Sequence, residues 1–145
     1  MLKAKELCVL SELRQDSRMK LTEISKRTRI PVSTIHDRMK GGFEGAITKM
    51  TALLDFRSLG YTARATIILK VDKNQRDGVR AFLSFSSAVN NLFKINNGYD
   101  FMVDGVFKTF IDLENFVEDL EERFAIRDKQ VYYIIDEIER EKFLL

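Results

Sequence analysis

Several kinds of specialised chemistry are missing from this sequence. Its 145 residues contain one cysteine, one histidine, one proline and no tryptophan. A single cysteine, Cys8, excludes an internal disulfide and offers too few thiolates for a metal site. Its place in an apolar run predicts a small hydrophobe packed on a helix. The lone His36 leaves no histidine-rich site. No phosphate-binding glycine loop or nucleophile motif is visible. Glu118, Asp119, Glu121 and Glu122 fall on the solvent side of a predicted helix and read as a solvated face. No catalytic residue, metal or cofactor is therefore assigned, and the chain is not read as an enzyme. No run approaches the roughly 20 apolar residues of a membrane span. The opening MLKAKELCVLSELRQ has charges inside its apolar run, unlike a signal peptide. These absences predict a cytoplasmic protein.

What is present is an ordinary globular balance, 45% hydrophobic and 32% charged, in a length that suits one domain or two small ones. The net charge of +2 conceals an asymmetry. Residues 1–50 carry 11 Lys and Arg against 6 Asp and Glu, whereas residues 51–145 carry 13 against 16. A basic first third on an acidic remainder implies that the first third meets a polyanion.

Within that basic third, LTEISKRTRIPVSTIHDRMK (21–40) holds two helical runs around a four-residue break, Arg29-Ile30-Pro31-Val32. Leu21, Ile24 and Thr28 recur at helical spacing in the first run, and Ile35 and Met39 in the second. Proline is tolerated in a helix's first turn, so the second helix is predicted to start at Pro31 or Val32. Residues 4–16 supply a third helix through Leu7, Leu10 and Leu13, because two helices this short cannot close a core alone. The arrangement is a helix-turn-helix, which lays its second helix in the DNA major groove. Burying Ile35 and Met39 turns Ser33, Thr34, His36, Asp37 and Lys40 outward, toward base edges and phosphates.

Gly41, Gly42 and Gly45 end that pattern and mark a boundary. Residues 46–60 read as a linker strand and turn. From Tyr61 the period becomes two, with Ala63, Ala65, Ile67, Leu69 and Val71 on one face. A helix over 75–86, a strand over 89–95, an Asn96-Asn97-Gly98 turn, a strand over 99–108, a helix capped by Asp112 and a strand over 131–138 follow. The order βαββαβ predicts a ferredoxin-like domain. The fold class is therefore α+β: a three-helix head (1–45), a linker (46–60) and a ferredoxin-like dimerisation domain (61–145). The uncovered sheet face is predicted to carry Ile68, Leu92, Met102, Val106, Tyr132 and Ile134. An apolar face of that size calls for a second copy of the domain to cover it.

This architecture resembles the Lrp/AsnC family of leucine-responsive regulators, through VLSELRQDSR (9–18), LTEISKRTRIPVSTIHDRMK (21–40), ITKMTALLDFRSLGY (47–61) and NNGYDFMVDGVFK (96–108). The resemblance covers nearly the whole chain. It implies a transcription regulator that binds double-stranded DNA, pairs through its C-terminal domains into dimers and octamers, and in many members takes an amino acid as effector. Ser33, Thr34, His36, Asp37, Arg38 and Lys40 then become the DNA-contact set, with Arg38, at the family's common arginine, open to a structural role as much as a phosphate contact. Tyr99, Asp100 and Asp104 become the effector candidates, equally readable as hairpin and surface residues. The chain departs from the family at Arg29, where glycine is usual, at Pro31, where a capping serine is usual, and at Gly41-Gly42, which replaces a leucine-bearing stretch. Asn97 and Gly98 depart from it in the C-terminal loop. The alternative reading is a sensor or assembly protein with a degenerate or non-specific head.

Overall fold

A computed structural model describes residues 2–144. It separates into two compact units. One comprises the chain up to Leu53 together with the stretch from Glu139 onward, and the other runs from Leu54 to Ile138.

The first unit is built on three helices, α1 (Ala4–Gln15), α2 (Leu21–Thr28) and α3 (Val32–Lys40). Val9, Leu10 and Leu13 of α1 bury against Ile24 of α2 and Ile35 of α3, and Phe43 closes the same core. Leu7, expected on the buried face, is partly exposed. Helix α1 begins with a capping box in which Glu6 accepts from the Lys3 backbone N–H at 2.8 Å. Beyond α3, Gly42, Phe43, Glu44 and Gly45 all have positive φ, between 51° and 84°. They make one left-handed turn, a conformation that costs an L-residue roughly 1–2 kcal/mol. The fully buried Phe43 ring offsets that cost.

Residues 46–60 were expected to form a linker strand; no strand occurs between Ala46 and Gly60. Asp55 instead caps a short turn there, accepting from the Ser58 hydroxyl at 2.5 Å and the Arg57 N–H at 3.1 Å. The C-terminal domain was expected to run over 61–145. From Glu139 onward the chain lies instead with the three helices, because Arg14 clasps it. Arg14 donates from Nε to the Phe143 carbonyl at 3.1 Å, from Nη2 to the Glu141 carbonyl at 3.0 Å and from Nη1 to the Glu141 carboxylate at 3.2 Å.

The second unit has the order β1 (Ala63–Val71), α4 (Arg76–Phe85), β2 (Val89–Lys94), β3 (Phe101–Phe107), α5 (Phe110–Arg123) and β4 (Ile126–Tyr133). The four strands pair antiparallel in the order β2-β3-β1-β4. Alternate residues Ala63, Ala65, Ile67, Leu69 and Val71 of β1, with Phe101, Val103 and Phe107 of β3, meet Val79 and Leu83 of α4 and Leu113, Val117 and Leu120 of α5. Both helices therefore cover one face of the sheet.

Three details differ from expectation. Thr109, not Asp112, caps α5; Asp112 stands three residues inside and completes a capping box. Strand β4 lies at 126–133, five residues earlier than predicted, because an edge strand tolerates charges such as Arg127 and Lys129 that hide its period. Leu92 faces the helices, opposite Val103, and Phe93 takes its place on the open face, opposite Met102. The cause is a bulge at Asn90: Val89 pairs with Gly105 and Asn91 with the next residue, Asp104.

Candidate nucleic-acid interface

Helix α3 carries all six candidate contact residues, Ser33, Thr34, His36, Asp37, Arg38 and Lys40. The turn before it works with Arg29 at φ 58°, ψ 34°, left-handed, where its N–H closes α2 on the Ser25 carbonyl at 2.8 Å. Pro31 then occupies the cap position with φ −57° and no capping side chain. Its carbonyl accepts from the Ile35 N–H at 3.1 Å. Helix α3 buries Ile35 completely and half-buries Met39, while Ser33, Thr34, His36, Asp37, Arg38 and Lys40 are all exposed. Four of the predicted contacts, Ser33, Thr34, His36 and Asp37, thus share one short exposed stretch. His36 Nδ1 stands 3.7 Å from the Asp37 carboxylate, a loose pair that forms only when the imidazole is protonated.

The basic residues of the head divide into two groups. Arg14 is held by Glu141, Arg27 by Glu12 at 2.8 Å and Glu23 at 2.6 Å, and Arg38 by Glu6 at 3.0 Å and Glu44 at 3.6 Å. The Arg27 guanidinium is held above its usual pKa, chiefly by the hydrogen bond it donates to Glu12. Lys26, Arg29 and Lys40 are exposed, and among the described residues none of them forms an ion pair. Lys26 and Arg29, at the end of α2 and in the turn, were not singled out from sequence. For Arg29, a cation in the turn with no acid three or four positions away was the available signal; Lys26 has Glu23 three positions before it and gave none. Among the described residues the head contains no strand, and no wing hairpin accompanies the three helices there.

The three effector candidates do not form one site. The Asp100 carboxylate is buried, accepting from the Val71 N–H at 2.7 Å and pairing with Arg76 at 2.7 Å. Both its oxygens are engaged in joining the hairpin to β1 and α4. Asp104 lies on the open face, gripped by Arg64 through two bonds of 2.9 Å and by Asn90 and Asn91 at 3.1 and 2.8 Å. Partial burial pushes its carboxyl up, but the hydrogen bonds from Arg64, Asn90 and Asn91 outweigh this and hold it below the usual carboxylate range. The Tyr99 hydroxyl reaches β4, donating to Asp128 and accepting from Gln130, both at 2.9 Å. The hydrogen bond to Asp128, which favours the neutral phenol, raises the Tyr99 pKa. Among the described residues no cluster of His, Cys, Asp and Glu could hold a metal ion, and no helix is long and apolar enough to cross a membrane.

Residues 4–40 match a family model described as winged helix-turn-helix DNA-binding. The chain is 32% identical over 111 residues to the HTH-type transcriptional regulator FL11 of Pyrococcus horikoshii, covering 76% of this chain and 74% of that protein. Solved structures with the same fold include transcriptional regulator NMB0573 of Neisseria meningitidis in complex with L-Met, with a TM-score of 0.86, 22% identity and coverage of 97% and 94%. They also include the leucine response regulatory protein LrpA of Mycobacterium tuberculosis, with a TM-score of 0.83, 18% identity and 98% of each chain covered.

Proposed function

The chain belongs to the Lrp/AsnC family of DNA-binding transcription regulators, and from that premise we propose that α3 reads DNA sequence in the major groove while two copies of the second unit pair to hold two heads on one duplex. The observation that carries this reading is α3 itself, a helix fixed on its inner side by Ile35 and offering polar side chains outward from Ser33 to Lys40. Ser33, Thr34, His36 and Asp37 address base edges, and Lys40 neutralises phosphate. Lys26 and Arg29 add phosphate contacts at the turn.

One short head supplies few contacts, so useful affinity needs two heads acting together. The open sheet face supports such pairing. Ile68, Phe93, Met102, Val106, Tyr132 and Ile134 present an apolar surface around the Arg64–Asp104 pair, and Phe93 and Tyr132 are about half exposed in the single chain. Dimers, with assembly into octamers, acting in the cytoplasm complete the reading. An amino acid or similar small ligand is the proposed effector, supported by the L-Met complex of NMB0573. Tyr99 and Asp104 keep polar atoms on the open face and remain the candidates; Asp100 supports the loop from within.

The test is selection of duplexes from a random pool by the native protein and by the Ser33→Ala/His36→Ala variant. Enrichment of a two-fold symmetric site, weakened in the variant, is the expected result. Salt-dependent binding without enrichment would favour the alternative, a non-specific head on an assembly module. Absence of binding at low salt by folded protein would refute the regulator mechanism.

A further inference from the structure

We propose that Arg38 is a positioning residue for the recognition helix and makes no phosphate contact. The inference rests on the reading of α3 as the helix that enters the major groove. It begins from a deficit in packing. Helix α3 has only one fully buried side chain, Ile35, with Met39 half-buried. A helix held chiefly at one point, with Met39 only partly packed on the same core, can pivot there. Arg38 lies one turn beyond Ile35 and supplies the second point. Its Nε meets Glu6 of α1 at 3.0 Å, and its Nη1 meets Glu44 of the left-handed turn at 3.6 Å.

Both acids are fixed from behind. The Glu6 side chain is only 12% exposed, and its other oxygen accepts from the Lys3 N–H that begins α1. Glu44 is held at φ 58° beside the buried Phe43. The end of α3 is thereby tied to the start of α1 and to the chain that leaves α3.

Charge decides against a phosphate role. Two carboxylates already engage the guanidinium, at Nε and at Nη1, so its charge is balanced within the head. A phosphate brought to it must compete with both, unlike one at Lys40, which forms no ion pair among the described residues. The 43% exposure of the Arg38 side chain leaves one edge of the guanidinium in water without cancelling that balance.

The experiment measures binding to an enriched duplex and to an unrelated duplex across a salt series, for native protein and the variants Arg38→Gln, Glu6→Gln and Lys40→Ala. Losing the alignment of one base pair corresponds to about a tenfold loss of affinity. Arg38→Gln is expected to lower affinity for the enriched duplex by about that factor and to leave the salt slope unchanged. Lys40→Ala is expected to reduce the slope by about 0.9 per head. Glu6→Gln is the sharper arm. It removes a negative charge and on charge alone would tighten binding to any DNA, whereas loss of positioning lowers the preference for the enriched site. A slope reduced by Arg38→Gln, with Glu6→Gln binding tighter and as selectively as native, would overturn the proposal.

A DNA-free thermal melt distinguishes failure of the inference from failure of the DNA reading. The Glu6→Gln/Arg38→Gln double variant is expected to melt no lower than Arg38→Gln alone. Additive losses would overturn the tie between α1 and α3 whether or not the protein binds DNA. Failure of the native protein to enrich any duplex, beside a non-additive melt, would remove the DNA reading and with it the positioning role.

Discussion

At the scale of single residues, two side chains carry measurable consequences. Arg29 holds a left-handed conformation that glycine adopts without steric cost. Arg29→Gly is expected to stabilise the head by roughly 0.5–1 kcal/mol, the relief of strain being partly offset by the freer unfolded chain. Urea denaturation without DNA measures it, and a lower midpoint in the variant would contradict the strain. Asp104 gives a pH prediction. Its folded pKa lies below its ordinary value, so the unfolded chain takes up the proton first on acidification. Its stabilisation is complete above about pH 4 and is lost as pH falls through the lower folded value. Asp104→Asn should therefore flatten the fall of stability below about pH 4. An unchanged acid profile would mean that Arg64, Asn90 and Asn91 do not hold the carboxylate in solution.

At the scale of elements, β3 illustrates what a chain reading reveals and what it leaves out. The alternation of Phe101, Val103 and Phe107 was visible as a buried face, and so were Ala63 to Val71 in β1 and the apolar stripe of α5. These elements face a single core, so burial writes itself into their period. Leu92 and Phe93 were not legible in the same way, because the bulge at Asn90 shifts every later residue of β2 to the other face. Nothing in Val-Asn-Asn-Leu-Phe signals an extra residue. Gly105, paired with Val89 just before the bulge, has its own constraint. A Cβ there would stand 2.6 Å from Phe107 Cε2 and 2.9 Å from its Cζ. Gly105→Ala should cost about 1–3 kcal/mol through displacement of that buried ring, read as a lower thermal midpoint.

The candidate site was legible to a similar degree. The polar face of α3 follows from helical spacing, and the break before it follows from Pro31. The acids that occupy Arg38 did not follow, because Glu6 and Glu44 lie 32 and 6 positions away from it in sequence and meet it only in three dimensions. The same holds for Asp100, whose partners Val71 and Arg76 belong to other elements. Side chains that act by local period can be read from one chain, whereas those that act by long-range pairing cannot.

At the scale of the whole molecule, the clasp on Arg14 makes the head a discontinuous domain. Glu141 sits at φ 52°, which turns both its carbonyl and its carboxylate toward one guanidinium. Arg14→Ala should release residues 139–144, seen as faster amide exchange there and faster trimming by carboxypeptidase. Because both partners are substantially exposed, the loss of stability should be small, about 1 kcal/mol. Protection equal to native would show that the clasp does not hold the tail. The clasp also sets an order of events during synthesis. Chains fold broadly from the N-terminus as they are made, yet the clasp itself waits for a partner encoded 127 positions after Arg14. The helices emerge first and can close their own core, and the clasp is added to them only after the entire sheet unit has been translated.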